Sequence, residues 1–253
     1  MQIVGYDRGP MPDETAALRL ANGGAVREEP LSPGGDLAYT LGERRCAGRI
    51  ADGTHEACEA ETAPYCPEHR TRWPCARCTG DCDLPTAACR EEHAVYLAAF
   101  APDTFKVGVT RSWRLKRRLR EQGADRAAHV RTVKNGRIAR QIEADVATEI
   151  PDSVRVPRKI RGLPREVDGD AWTDLLDDFD VIERFEFDYG LDLDRQPITE
   201  TIATGTVVRT KGRVLLLERA GDVYAVDMRD LVGHGVEDGG TDRSLQSSLG
   251  SFG

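Results

Sequence analysis

Lysine is scarce in this chain of 253 residues: five of the 35 basic side chains are lysine, the rest are arginine, and acids outnumber bases 43 to 35. A lysine-poor, acidic surface suits a protein working in concentrated salt, where carboxylates hold water and their repulsion is screened, so the composition points to a halophilic source. No apolar run approaches the roughly 20 residues of a membrane span. Residues 1–7 lack the charged-then-apolar layout of a secretory leader, so the expectation is a cytoplasmic protein with no membrane partner. Cysteine is missing everywhere except residues 46–89, and apolar residues are few within that stretch.

All seven cysteines lie in that stretch. In a cytosolic chain, thiols this dense favour metal over disulfides. Cys66-Pro-Glu-His69 and Cys75-Ala-Arg-Cys78 have the two-residue spacer that lets both side chains of a tight turn reach one tetrahedral ion. Seven cysteines and His69 make eight ligands, enough for two structural zinc ions. A sequential split places Cys46, Cys58, Cys66 and His69 at one ion and Cys75, Cys78, Cys82 and Cys89 at the other. A cross-braced split fits the same residues, and His93 or, less well, His55 can replace one ligand. Four such ligands leave no open position for water, so the sites brace a module with too little core of its own.

Residues 94–100 and 105–109 are β-type runs joined by a Pro-Asp turn. A basic helical run over 112–122 ends at Gly123, a third β run covers 127–133, and a second helix follows the Asn135-Gly136 turn. Ile138, Ile142, Val146 and Ile150, spaced by four, form its expected apolar stripe.

Strand, strand, helix, strand, helix with these residues resembles the GIY-YIG nuclease domain. Val95-Tyr96-Leu97 stands at the first triplet and Lys106-Val107-Gly108 at the second, with Arg118 and Glu143 at the arginine and glutamate positions. Lysine replaces the second tyrosine, as in a viral and phage variant, and Gln122 stands where many members have histidine. More closely, residues 46–164 resemble an uncharacterised bacterial and archaeal family that pairs a cysteine-rich stretch with Val-Tyr-Leu-Ala and Lys-Val-Gly-Val-Thr-Arg.

The nuclease resemblance implies that Glu143 binds a magnesium or manganese ion, Tyr96 orients or activates water, and Arg118 offsets charge on the phosphorane. Lys106 would hold phosphate, and Gln122 cannot relay a proton as histidine does. From Lys106 to Arg165 the charge balance is +11, against −19 for the remainder. This basic island marks Arg111, Arg114, Lys116, Arg117 and Arg120 as phosphate-contacting candidates, although one helix face cannot present them all.

The flanks carry no evident chemistry. Residues 1–45 form an N-terminal β segment with a hairpin at Asn22-Gly23-Gly24, and 166–232 an acidic helix (Trp172, Leu175, Leu176, Phe179) followed by a β-meander with an apolar run at 214–217. Residues 233–253, with His234 among them, are expected to be a disordered tail. The fold class is α+β: a two-zinc module over 46–92 precedes a GIY-YIG-like α/β domain over 93–165, between the small β segments. The leading function is a nucleic-acid-processing protein, acting on DNA or RNA as a metal-dependent endonuclease. The alternatives are a non-catalytic DNA- or RNA-binding protein on the same fold and a zinc-braced scaffold for a protein partner.

Overall fold

A computed structural model of the protein describes residues 1–11, 13–70, 79–80 and 87–240. The chain forms two compact units, one from residues 1–9, 13–70 and 197–253 and one from 10–12 and 71–196.

The first unit begins with β1 (Gln2–Asp7), β2 (Ala17–Asn22), β3 (Ala25–Pro30) and β4 (Asp36–Arg44), followed by the short strands β5 (Arg49–Ala51) and β6 (Thr54–Glu56). Gly23 and Gly24, with φ of 56° and 91°, close the β2–β3 hairpin in the left-handed geometry such a tight turn needs.

The second unit carries β7 (His93–Phe100) and β8 (Thr104–Arg111), then a 3-10 turn over Ser112–Arg114 leading into α1 (Leu115–Gln122). Next come β9 (Arg126–Val133), α2 (Gly136–Val146), α3 (Val156–Gly162), α4 (Gly169–Leu176) and β10 (Glu183–Glu186). The sheet order is β10-β9-β7-β8. Strands β8 and β9 pair with the two edges of β7, while α2 and α4 cover one of its faces and α1 the other, so its residues alternate between two cores as the strand period of two requires. Val95, Leu97 and Ala99 join Ala139, Ile150, Trp172 and Leu176. Tyr96, Ala98 and Phe100 join Leu115, Leu119 and Phe187.

The helix ends follow their caps. Gly123 takes φ 70° after α1, the Asn135 side chain accepts from Ile138 N–H at the start of α2, and Asp168 caps α4. The stripe expected on α2 is corrected. Spacing by four drifts about 40° per step around a helix, so Ala139 takes the central position. Ile142 and Val146 pack on that core, Ile138 does not, and Ile150 lies beyond the helix end.

The chain then returns to the first unit with β11 (Ile198–Thr199), β12 (Ala203–Lys211), β13 (Val214–Arg219), β14 (Asp222–Asp227), α5 (Met228–Leu231) and β15 (His234–Asp238). The N-terminal strands and the meander share one sheet of order β11-β14-β13-β12-β4-β15-β1-β2-β3-β6-β5. Its core joins Ile3, Leu18 and Leu37 to Val207, Leu215, Met228 and Leu231. Residues 234–238 are not a tail. β15 lies between β4 and β1, pairing Val236 with Leu41 and Gln2 with Gly235, because those neighbours supply the hydrogen bonds that its own composition does not advertise. The end of the expected tail, 241–253, lies outside the described residues.

Candidate functional site

In the first unit, four metal ligands converge just after β4. Cys46 and Cys66 are buried, Cys58 and His69 half-buried, and their ligand atoms all lie within 4.8 Å of one another. The edges Cys46 Sγ–His69 Nδ1 (3.4 Å), Cys66 Sγ–His69 Nδ1 (3.3 Å) and Cys58 Sγ–Cys66 Sγ (4.0 Å) come close to those of a tetrahedron. Zinc bonded to sulfur at about 2.3 Å and to nitrogen at about 2.0 Å requires edges of roughly 3.5–3.8 Å. The turn that delivers Cys66 and His69 is closed by the His69 and Arg70 N–H groups on the Cys66 carbonyl. Burial pushes the Cys66 thiol up, but the N–H of His69 and hydrogen bonds from Cys46 outweigh it and bring the thiol to about 7. The Gly48 and Cys66 N–H groups point at Cys46 Sγ, the outer-shell support a thiolate ligand needs. This cluster can hold a zinc ion.

The four ligands are consecutive in the chain, so this site follows the sequential split. His55 is not part of this cluster; its Nε2 meets the Ala47 carbonyl at 2.8 Å. Of the second expected set, Cys75, Cys78 and Cys82 lie outside the described residues. Cys89 sits on a 3-10 turn of the second unit, and the His93 ring lies beside it against Gly136, its Nδ1 bonded to the Glu91 carbonyl.

In the second unit, the residues singled out in sequence meet around Tyr96. Its hydroxyl is wholly buried and accepts from Gln122 Nε2 at 2.5 Å. Gly108 lies directly across the β7–β8 ladder, where a Cβ would stand 2.5 Å from the Tyr96 oxygen. A side chain at 108 would therefore displace the phenol. Burial pushes the Tyr96 hydroxyl above its ordinary range; Arg118 pulls against that shift and Glu143 adds to it. The phenol stays protonated at neutral pH.

Lys106, two residues before Gly108, is also buried. Its Nζ donates to the Asp152 carbonyl at 2.5 Å. Burial, helped by Arg118, lowers it to about 8, while Glu143 and Asp152 oppose. Glu143 in turn is held by Arg140 at 2.6 Å, its side chain 12% exposed. Tyr96, Lys106, Arg118, Gln122 and Glu143 thus form one electrostatic neighbourhood, and Arg140 belongs to it. Among the described residues no other histidine, cysteine or carboxylate clusters with Glu143, so it offers a divalent ion one protein ligand at most, and Arg140 already holds that carboxylate.

Arg114, Arg117 and Arg118 share Glu121 at 2.9, 3.6 and 3.4 Å, an arrangement made by their spacing on one helix face. Three cations on one carboxylate leave the face positive. Lys116 is exposed, and Arg111 pairs with Glu91 at 3.0 Å. Arg120 takes another direction and lies over the Phe187 ring, a packing role that the charge count alone could not separate from binding.

A family profile described as a protein of unknown function, DUF2797, matches residues 48–189, more than half of the chain. The chain belongs to the DUF2797 family. No curated protein and no solved structure matches it. In this DUF2797 member the matched span covers three of the four clustered metal ligands and the whole Tyr96 neighbourhood; Cys46 precedes it. Sequence reasoning missed Arg140, Glu121 and the Asp152 carbonyl. Arg140 and Glu121 had a signal, the three- and four-residue spacing to Glu143 and the arginines, whereas the Asp152 carbonyl had none.

The buried lysine makes a pH test available. Its folded value lies below its unfolded one, so between about 8 and 10.5 the unfolded chain binds more protons than the native one. Native stability from this group therefore rises with pH through that window. Against Arg118, Arg140, Glu143 and Asp152, which face it in both proteins, Lys106→Met should remove the rise. Denaturant midpoints of the two proteins from pH 7 to 10.5 check this, and parallel curves would contradict it.

Proposed function

We propose that this protein binds and processes nucleic acid through the Tyr96 neighbourhood, as a GIY-YIG-type domain in a chain that also carries structural zinc. The observation that carries the reading is that Arg118 and Glu143, on separate helices, both act on Tyr96 and on Lys106. The strand–strand–helix–strand–helix order supports it as well.

Arg118 and Lys106 attract a phosphate to this neighbourhood and offset its growing charge. Tyr96 accepts from Gln122 and keeps its own proton on a buried hydroxyl. It orients the reacting group and does not take the proton. Glu143 would hold a magnesium or manganese ion, and the charge of that ion would stabilise the leaving oxygen. The zinc cluster, with four protein ligands, has no place for water and stays structural. The acidic, lysine-poor surface supports a halophilic source.

A second reading, nucleic-acid binding without cleavage, has its own observation. Glu143 is already paired with Arg140, and Lys106 already donates to a carbonyl, so both are engaged before substrate arrives.

Both readings predict the same salt behaviour. Affinity for an oligonucleotide should fall as potassium rises, and Arg114→Glu with Arg117→Glu should flatten the slope by roughly one unit per lost phosphate contact. Titrations at several salt concentrations measure it. Binding without salt dependence would favour an acidic protein as the partner of this face.

A further inference from the structure

Trp113 is the side chain that neither the fold nor the proposed chemistry uses. It is 68% exposed, whereas Trp172, in the same unit, is 5% exposed and packed in the core. An indole left in water loses the burial that normally justifies a tryptophan, which is worth most of its contribution to a fold. Yet this ring is not loose. Its Nε1 donates to Glu91 Oε2 at 2.9 Å, and the guanidinium of Arg111 lies over the ring at 4.6 Å, itself tied to the same carboxylate at 3.0 Å. Arg114 approaches the ring at 5.9 Å.

Polar and cation–π contacts thus hold the ring in place while most of its surface stays open to solvent. This is the combination that stacks a nucleobase: a rigid aromatic face flanked by guanidinium groups that can reach the adjoining phosphates. The ring also connects with the candidate site. Arg114 shares Glu121 with Arg118, which acts on Tyr96.

We propose that Trp113 is a stacking platform for an unpaired base, and that the nucleic acid bound here is single-stranded or carries a single-stranded segment beside the bound phosphate. A base inside a duplex already has both faces covered and cannot use the ring without leaving the stack. The proposal rests on the nucleic-acid reading of the Tyr96 site and narrows it to one substrate class.

The test compares the full chain with Trp113→Ala and Trp113→Phe. It uses three labelled ligands: a short single strand, the matching duplex, and an abasic strand with the same number of phosphates. The alanine variant should lose about tenfold or more in affinity for the single strand, in keeping with the value of one base–aromatic stack. Its affinity for the duplex and the abasic strand should not change, and phenylalanine should restore most of the loss. Because the side chain is exposed, thermal midpoints of all three proteins should coincide, which separates lost stacking from lost fold. If native and alanine proteins bind the single strand equally well, the platform is wrong while nucleic-acid binding stands. If the native protein binds none of the three ligands, both fall together.

Discussion

Changing Cys46 to serine should remove zinc from the first unit and unfold the segment that carries the site. Cys46, Cys58, Cys66 and His69 surround one point; beyond the β5–β6 hairpin, its one-residue pairing to β3 and a few backbone hydrogen bonds, residues 46–70 have little core of their own. Ala47 is the main apolar anchor, packed with Val4, Ala21 and Val232, and Tyr65 packs against that small cluster. The Gln2 amide adds a hydrogen bond to the Cys46 carbonyl at 3.2 Å. Zinc bound by four such ligands contributes about 10–16 kcal/mol of apparent binding free energy in small zinc peptides. That is comparable with the whole stability of a domain, about 5–15 kcal/mol. Serine keeps the size but is a far weaker zinc ligand, so rapid proteolysis within 46–70 and a large drop in thermal midpoint are expected. Elemental analysis of native protein prepared without added metal should give close to two zinc ions per chain, this site and the Cys75, Cys78, Cys82 and Cys89 set each holding one. Zinc near zero, with the thiols found oxidised by mass, would refute the assignment.

The Glu143→Gln variant should bind oligonucleotide as the native protein does and cleave none of it. Glutamine preserves size and helix preference but cannot neutralise a divalent ion. It also releases Arg140 from its 2.6 Å ion pair, and the freed guanidinium compensates any loss by attracting phosphate, so affinity should hold or rise slightly. Native protein with magnesium or manganese provides the reference. If native protein cleaves and Glu143→Gln cleaves equally well, the glutamate assignment is wrong. If native protein binds without cleaving under any divalent ion, the non-catalytic reading replaces the enzymatic one. The engaged states of Glu143 and Lys106 and the glutamine at 122 all make that comparison decisive.

Several features were legible before any coordinates. The apolar run along 94–100 reports a strand, although which segments cover its two faces is decided only by the packing of α2 and α4 on one side and α1 on the other. Gly123 marks the end of α1 and the Asn135-Gly136 turn the approach to α2, because a cap or a turn depends on the neighbouring few residues, whereas sequence reasoning missed the Asp168 cap of α4. The four clustered metal ligands stand in chain order, so spacing alone already offered their grouping. Spacing could not choose between sequential and cross-braced arrangements, because that choice is made by where the backbone turns after β4.

What the sequence by itself determined is therefore local: strand period, helix caps, ligand spacing, the concentration of arginine after Lys106. Tertiary structure alone decided the rest. It placed β15 between β4 and β1, and it joined the N-terminal strands to the meander through pairs such as Leu37 with Gly205. It set Lys106 against the Asp152 carbonyl and brought the charges of Arg118 and Glu143 to bear on Tyr96. The physical reason is common to all of these. A backbone hydrogen bond or a buried charge takes its energy from whichever group lies opposite, and that partner is chosen by the packing of segments far apart in the chain.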